Sequence, residues 1–177
     1  SSVAGVVTPA GPGAPPGGGV VQPPRRRVYR AHPRRWELGA GPIVAFGPGR
    51  DTFINFLGAA RVGFFPIDRF GITATVAYAN LNGRDGRVNN LYFSLGAETA
   101  VDLAPSRHVF IPLRLEVGYI PSNGPVFRLT AGVAFQLARH VHLEVDLLSP
   151  TLWVLPGTTS NTTAVSLDLG AFVRFGL

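Results

Sequence analysis

The 177-residue chain has no cysteine, no lysine and no methionine, and only 15% of its residues are charged. Without cysteine there is no disulfide, no thiolate metal site, no cysteine nucleophile and no lipid-modified cysteine. No apolar run approaches the roughly 18 residues that a membrane-spanning helix requires, yet 46% of the residues are hydrophobic. Zinc-type ligand spacing is missing, and Gly11–Gly19 is low-complexity sequence without the flanking strand and helix of a phosphate loop. The four histidines, His32, His108, His140 and His142, do not form a ligand set, because neighbours two apart share a strand face only when both point inward. The composition therefore implies no cofactor and no metal.

The basic residues are all arginine, 16 of them. The codon usage of a GC-rich genome accounts for this, although guanidinium also suits sites where positive charge must persist and pair with carboxylate. Their distribution is uneven. Residues 1–35 contain Arg25, Arg26, Arg27, Arg30, Arg34 and Arg35 and no acid, whereas residues 36–177 balance Arg against Asp and Glu. The high pI thus belongs to an amino-terminal arm. Residues 1–24 are Pro-, Gly-, Ala- and Val-rich and cannot build a core. The opening Ser1-Ser2-Val3-Ala4-Gly5 suits a mature chain whose leader has been removed, and a trimmed chain would read the same. Two regions follow from this: an arm or linker over 1–35, with Tyr29 and the arginines as its candidate docking residues, and a folded body over 36–177.

The body alternates at period two. Strands are expected at about 36–46, 53–65, 70–81, 89–103, 109–119, 125–137, 140–148 and 164–177. The last has Val165, Leu167, Leu169, Ala171, Val173, Phe175 and Leu177 on one face and Ser166, Asp168, Gly170, Phe172, Arg174 and Gly176 on the other. Eight apolar-out, polar-in strands predict an all-β, antiparallel, up-and-down transmembrane barrel. Connections near residues 65–69, 104–107 and 138–140 read as tight turns. Those at 47–51, 82–88, 121–124 and 149–162 are on average longer and more polar. Short periplasmic turns and longer external loops would put both termini in the periplasm. On this reading Trp153, between Pro150 and Pro156, lies in an external loop at the lipid headgroups.

If the apolar face meets lipid, the opposite face lines the lumen. That face carries Glu37, Arg61, Glu98, Asp102, Arg114, Glu116, Arg128, His142, Glu144, Asp146, Asp168 and Arg174. A lipid-facing charge at the midplane would cost roughly 2–4 kcal/mol, so their common side supports the assignment of inside and outside. The interior of an eight-stranded barrel is just wide enough for side chains to fill, so these charges are expected to form a paired, plugging network. A catalytic alternative would use His142 and Glu144 with Ser166 as nucleophile, but any strand offers such i, i+2 pairs.

The eight strands, the inward Arg114 and Glu116, and the ending Leu169-Gly170-Ala171-Phe172-Val173-Arg174-Phe175-Gly176-Leu177 resemble the small eight-stranded outer-membrane barrels of Gram-negative envelopes, the OmpA-like and OmpW-like class, over roughly residues 36–177. The resemblance implies residence in outer-membrane lipid and delivery by the barrel-insertion machinery, with Phe175 and Leu177 as the insertion signal. The family usually ends on Phe or Trp; here Leu177 takes that place, with Phe175 on the same face. The expected role is a non-enzymatic membrane anchor or structural subunit whose periplasmic arm docks a protein partner. The alternative is a narrow pore or carrier for small solutes. A soluble coat-like sandwich with a nucleic-acid-binding arm is disfavoured by the terminal strand, and no nucleic-acid partner is expected.

Overall fold

The computed structural model describes residues 36–47, 53–83, 86–103, 108–121, 123–155 and 162–177. The arginine-rich arm, Arg25 to Arg35 with Tyr29, lies outside the described residues, as does the turn at 104–107. Eight strands follow in chain order: β1 (Trp36–Gly47), β2 (Phe53–Ile67), β3 (Phe70–Gly83), β4 (Gly86–Asp102), β5 (Val109–Ile120), β6 (Gly124–Ala138), β7 (Val141–Leu155) and β8 (Thr162–Gly176). Each pairs antiparallel with its neighbours, and β8 returns to β1, closing an up-and-down barrel. Even the shortest strands, β1 and β5, have 12 residues, more than the ~9–11 needed to cross a bilayer at a tilt.

Alternation decides the two faces. Along β5, Phe110, Arg114 and Glu116 are buried while Leu113, Leu115, Val117 and Tyr119 are exposed. The outer wall is accordingly a belt of Leu, Val, Ile and aromatic side chains. Aromatics gather at its two margins. Trp36, Phe70, Phe135 and Phe175 lie toward the end that carries both barrel termini, and Phe46, Phe56, Tyr78, Tyr119 and Phe127 lie toward the opposite, distal end. Aliphatics such as Leu95, Leu115 and Leu129 stand between them. Two aromatic girdles around an aliphatic band are the exterior of a transmembrane barrel.

Besides Pro66 and Pro125, which stand one residue from a strand end, three prolines sit in the interior of strands in a sheet without edges. Pro42 pairs with Gly58 of β2, Pro112 with Ala100 of β4 and Pro150 with Leu167 of β8. On its other side each falls where the ladder lapses, between Ala40 and Ile43 against β8, Phe110 and Leu113 against β6, and Thr151 and Leu148 against β6. Proline has no N–H to contribute, so the missing bonds coincide with missing rungs. At the β1–β8 seam Gly41 fills that lapse: a Cβ there would lie 1.7 Å from the Ala171 carbonyl oxygen. The seam is pinned at the terminal end by Leu177 N–H donating to the Trp36 carbonyl, 2.9 Å. Gly124, with φ 92°, makes the β5–β6 turn in a conformation that a Cβ disfavours.

Several boundaries differ from the sequence expectation. β3 and β4 pair as far as Gly83 and Gly86, so the segment 82–88 is mostly strand. β7 does not stop at 148. Its register slips between Asp146 and Ser149, so that Leu147 and Leu148 both face outward, each 55% exposed, and the strand continues to Leu155. This bulge inverts the phase of the alternation. Ser149, Thr151 and Trp153 point inward, and Trp153 is a buried core residue, not a headgroup-facing loop residue.

Candidate functional site

The sequence offers no preformed catalytic or ligand motif, so the candidate site is the lumen. Inward positions on β1, β2 and β4–β8 bring six carboxylates, Glu37, Glu98, Glu116, Glu144, Asp146 and Asp168, together with four guanidiniums, Arg61, Arg114, Arg128 and Arg174; none is more than 4% exposed. Cross-strand register starts the pairing: Glu98 lies opposite Arg114, Glu116 opposite Arg128, and His142 opposite Arg174.

Glu144 is the hub. Its Oε1 accepts from Arg61 Nη1 at 3.1 Å and Arg114 Nη2 at 2.5 Å, and its Oε2 accepts from Arg174 Nη1. Glu98 joins the same two cations from the other side, at 3.0 Å to Arg114 Nε and 2.8 Å to Arg174 Nη1. Arg174 Nη2 reaches Glu37 at 2.7 Å, and Arg114 Nη1 stands 3.7 Å from Asp146. A second cluster is built on Asp168, which accepts from Arg128 Nε at 2.9 Å, Thr151 Oγ1 at 2.8 Å and Ser166 Oγ at 2.7 Å, with Arg128 Nη2 in ion-pair contact at 2.6 Å. Glu116 links the two, 3.9 Å from Arg128 and accepting from the hydroxyls of Thr75 and Ser94. Each outlying guanidinium also lies over an aromatic ring, Arg61 over Phe172 at 4.1 Å, Arg128 over Tyr92 at 5.3 Å and Arg174 over Phe65 at 5.6 Å. Planar, weakly hydrated guanidinium serves both contacts at once, which an ammonium does less well. Buried charge is tolerable only when paired and hydrogen-bonded, and this network goes far toward that demand by sharing Glu98, Glu116, Glu144 and Asp168 among several donors.

Much of the distal lumen is apolar, with Asn55, Thr151 and Ser166 as buried polar exceptions. Ile43, Leu57, Leu81, Ile120, Val126 and Trp153 pack there with four buried alanines. Trp153 ties this plug to the charges below: its Nε1–H donates to Ser166 Oγ at 2.7 Å, and Ser166 donates on to Asp168. Toward the terminal end Ala100, Phe110 and Ala134 form a smaller apolar layer, with His142 edge-on to Phe110 at 5.6 Å.

Of the lumen residues expected from sequence, the geometry places Glu37, Arg61, Glu98, Arg114, Glu116, Arg128, His142, Glu144, Asp146, Asp168 and Arg174 on the inner face. Asp102, also expected inside, instead pairs with exposed Arg69 at 2.6 Å near the terminal rim. The catalytic alternative does not assemble. His142 is level with Arg174 and Ser166 with Thr151, a separation along β8 of about 26 Å at ~3.3 Å per residue. Among the described residues no group of three His, Asp or Glu side chains is arranged to hold a metal ion. Phe175 and Leu177 stand exposed on the outer wall beside the seam. Sequence reading had not marked Thr75, Ser94, Thr151 and Ser166 as partners of the charges or Phe65, Tyr92 and Phe172 as ring faces. Their inward strand phase was the available signal, lost beyond Asp146 where the bulge inverts it.

No family model matches the sequence, and no curated protein matches it. Among solved structures the chain is similar to Neisserial surface protein A, NspA, with TM-score 0.57 and 13% identity over 80% of this chain and 97% of that one. It is also similar to the N-terminal β-barrel domain of Pseudomonas aeruginosa OprF, with TM-score 0.51 and 13% identity over 80% of this chain and 98% of that one. The body of the chain therefore has the fold of the small eight-stranded outer-membrane β-barrels.

Proposed function

We propose that the protein is a non-enzymatic outer-membrane anchor, a structural subunit whose amino-terminal arm docks a protein partner in the periplasm. The observation that carries this reading is the filled lumen. A solute would have to displace a shared charge network and then a hydrocarbon plug containing Trp153, Ile120 and Leu57. Opening either part would strand buried charge or expose packed apolar surface. What remains for function is the wall, the rims and the arm. The barrel begins at Trp36, hydrogen-bonded to Leu177, so the arm, with Arg25, Arg26, Arg27, Tyr29, Arg30, Arg34 and Arg35, is tethered to the terminal rim. Six arginines without an acid favour an acidic protein surface, reached over a Pro/Gly-rich tether. Both termini on the periplasmic side, and insertion guided by Phe175 and Leu177, belong to the same reading.

The test is purification of the full chain from outer membranes in mild detergent, followed by native mass and identification of co-purifying chains, beside a form lacking residues 1–35. An assembly lost on deletion of the arm is expected, together with no steady conductance step in planar bilayers. A lone barrel with or without the arm would refute the docking role, and a reproducible conductance step would favour a pore.

A further inference from the structure

We infer that the outer wall of β2–β4 carries a binding site for a phosphorylated, acylated glycolipid of the leaflet at the distal end. The inference rests on the proposed orientation, with both barrel termini periplasmic, and is independent of partner docking by the arm. A groove of about 740 Å³ crosses the outer wall of β1–β5. Small side chains, Ala60 and Ala74, floor it, and Leu38, Phe93, Leu95 and Tyr119 wall it. It lies inside the aliphatic belt, so its natural occupant is a hydrocarbon chain, and its lining is fixed by strand backbones.

A polar group stands above the groove on the same face. Arg87, exposed on β4, holds its guanidinium 5.5 Å over the ring of Phe56. Its Nη1 donates to Asn80 Oδ1 at 2.6 Å, and Asn80 Nδ2 donates to Asn89 Oδ1 at 2.7 Å. This bracing fixes the guanidinium while using one of its five donors. Among the described residues no carboxylate pairs with Arg87, unlike each of the four lumen arginines. A guanidinium braced in this way at the upper edge of an apolar belt suits a phosphate monoester, which it can bind through two parallel hydrogen bonds. The flanking amides of Asn80 and Asn89 supply donors and acceptors for sugar hydroxyls, which a simple phospholipid headgroup would leave unused.

The spacing fits one molecule. Arg87 and Phe93 lie on the same face of β4, about 20 Å apart along the strand at ~3.3 Å per residue. At a tilt of ~40° that is roughly 15 Å of depth, about half of the hydrocarbon core. A chain hung from a phosphate at Arg87 would thus end in the groove.

The experiment titrates the full-length protein in detergent with diphosphorylated hexa-acyl lipid A or with phosphatidylglycerol, reading stoichiometry and apparent affinity by native mass spectrometry. Lipid A is expected to bind one per barrel, at least tenfold more tightly than phosphatidylglycerol. Arg87→Glu should weaken lipid A by at least tenfold. Ala74→Trp, which fills the groove, should do likewise, and Val165→Trp on the opposite wall should leave binding unchanged. All three change outward-facing side chains, and unheated gel mobility verifies that each barrel is folded. Equal binding of both lipids, indifference to Arg87→Glu and Ala74→Trp, or no bound lipid A would each overturn the inference.

Discussion

Replacing Glu144 by Gln preserves the shape of the lumen hub and removes its charge. Arg114 would still meet Glu98 at 3.0 Å, and Arg174 would still meet Glu37 at 2.7 Å and Glu98 at 2.8 Å. Arg61 is the residue left exposed to the change. Among the described residues its ion-pair partner is Glu144, and without that charge it retains only the Thr75 hydroxyl at 3.2 Å and the face of Phe172. Breaking one partner from a buried pair costs about 3–5 kcal/mol. The glutamine oxygen still accepts one hydrogen bond, which puts the expected loss near the lower figure, about 3 kcal/mol. Arg61→Met alone should cost less, because Glu144 keeps Arg114 and Arg174. The double variant should therefore be less destabilised than the sum of the single variants, by about 1–3 kcal/mol. The assay is equilibrium urea unfolding of the full-length protein in fluid phosphatidylcholine vesicles, followed by tryptophan emission. A Glu144→Gln loss below about 1 kcal/mol, or strict additivity in the cycle, would refute the hub.

Two further outcomes follow from the wall and the bulge. Gly41→Val drives a side chain into the Ala171 carbonyl at the seam and should cost at least about 2 kcal/mol or prevent closure, whereas Gly58→Ala, which meets nothing within 4 Å, should be neutral; the folded fraction on unheated gels and urea midpoints distinguish them. With Trp36 replaced by Phe, Trp153, 3% exposed, should resist quenching by brominated acyl chains; with Trp153 replaced, Trp36, 51% exposed, should be quenched. Strong lipid quenching of Trp153 would place it back on the outer wall and remove the bulge.

The strand count, the closure and the inner charges were legible because lipid and lumen impose opposite demands on alternate residues. Any strand with an unbroken period of two declares both faces, and β5 does so from Val109 to Ile120. The misreading of β7 has the same cause in reverse. Leu147 and Leu148 are both lipid-facing, so the alternation changes phase, and Ser149-Pro150-Thr151 then reads as a polar loop. A bulge is a backbone event with no residue type of its own. The separation of His142 from Ser166 was hidden for a related reason: strand phase reports which face a residue takes, while height in the barrel depends on register between strands.

Height is also what divides the lumen, and the division bears on function. Charge alone would have been compatible with a wet channel, since inward Arg and Glu also line aqueous pores. Here the acids and arginines are gathered in the middle and terminal parts, where Arg61, Arg114 and Arg174 converge on Glu144, and most distal inward positions, Asn55 of β2 excepted, are given to apolar residues such as Ile43, Leu57, Leu81, Ile120, Val126 and Trp153. A pore needs polar lining along its whole length, because water in an apolar constriction loses its hydrogen bonds without replacement. An anchor needs only a rigid wall, and for that purpose a paired network under a packed apolar layer is sufficient: the first fixes the register of the strands that carry it, and the second fills the space that the charges leave.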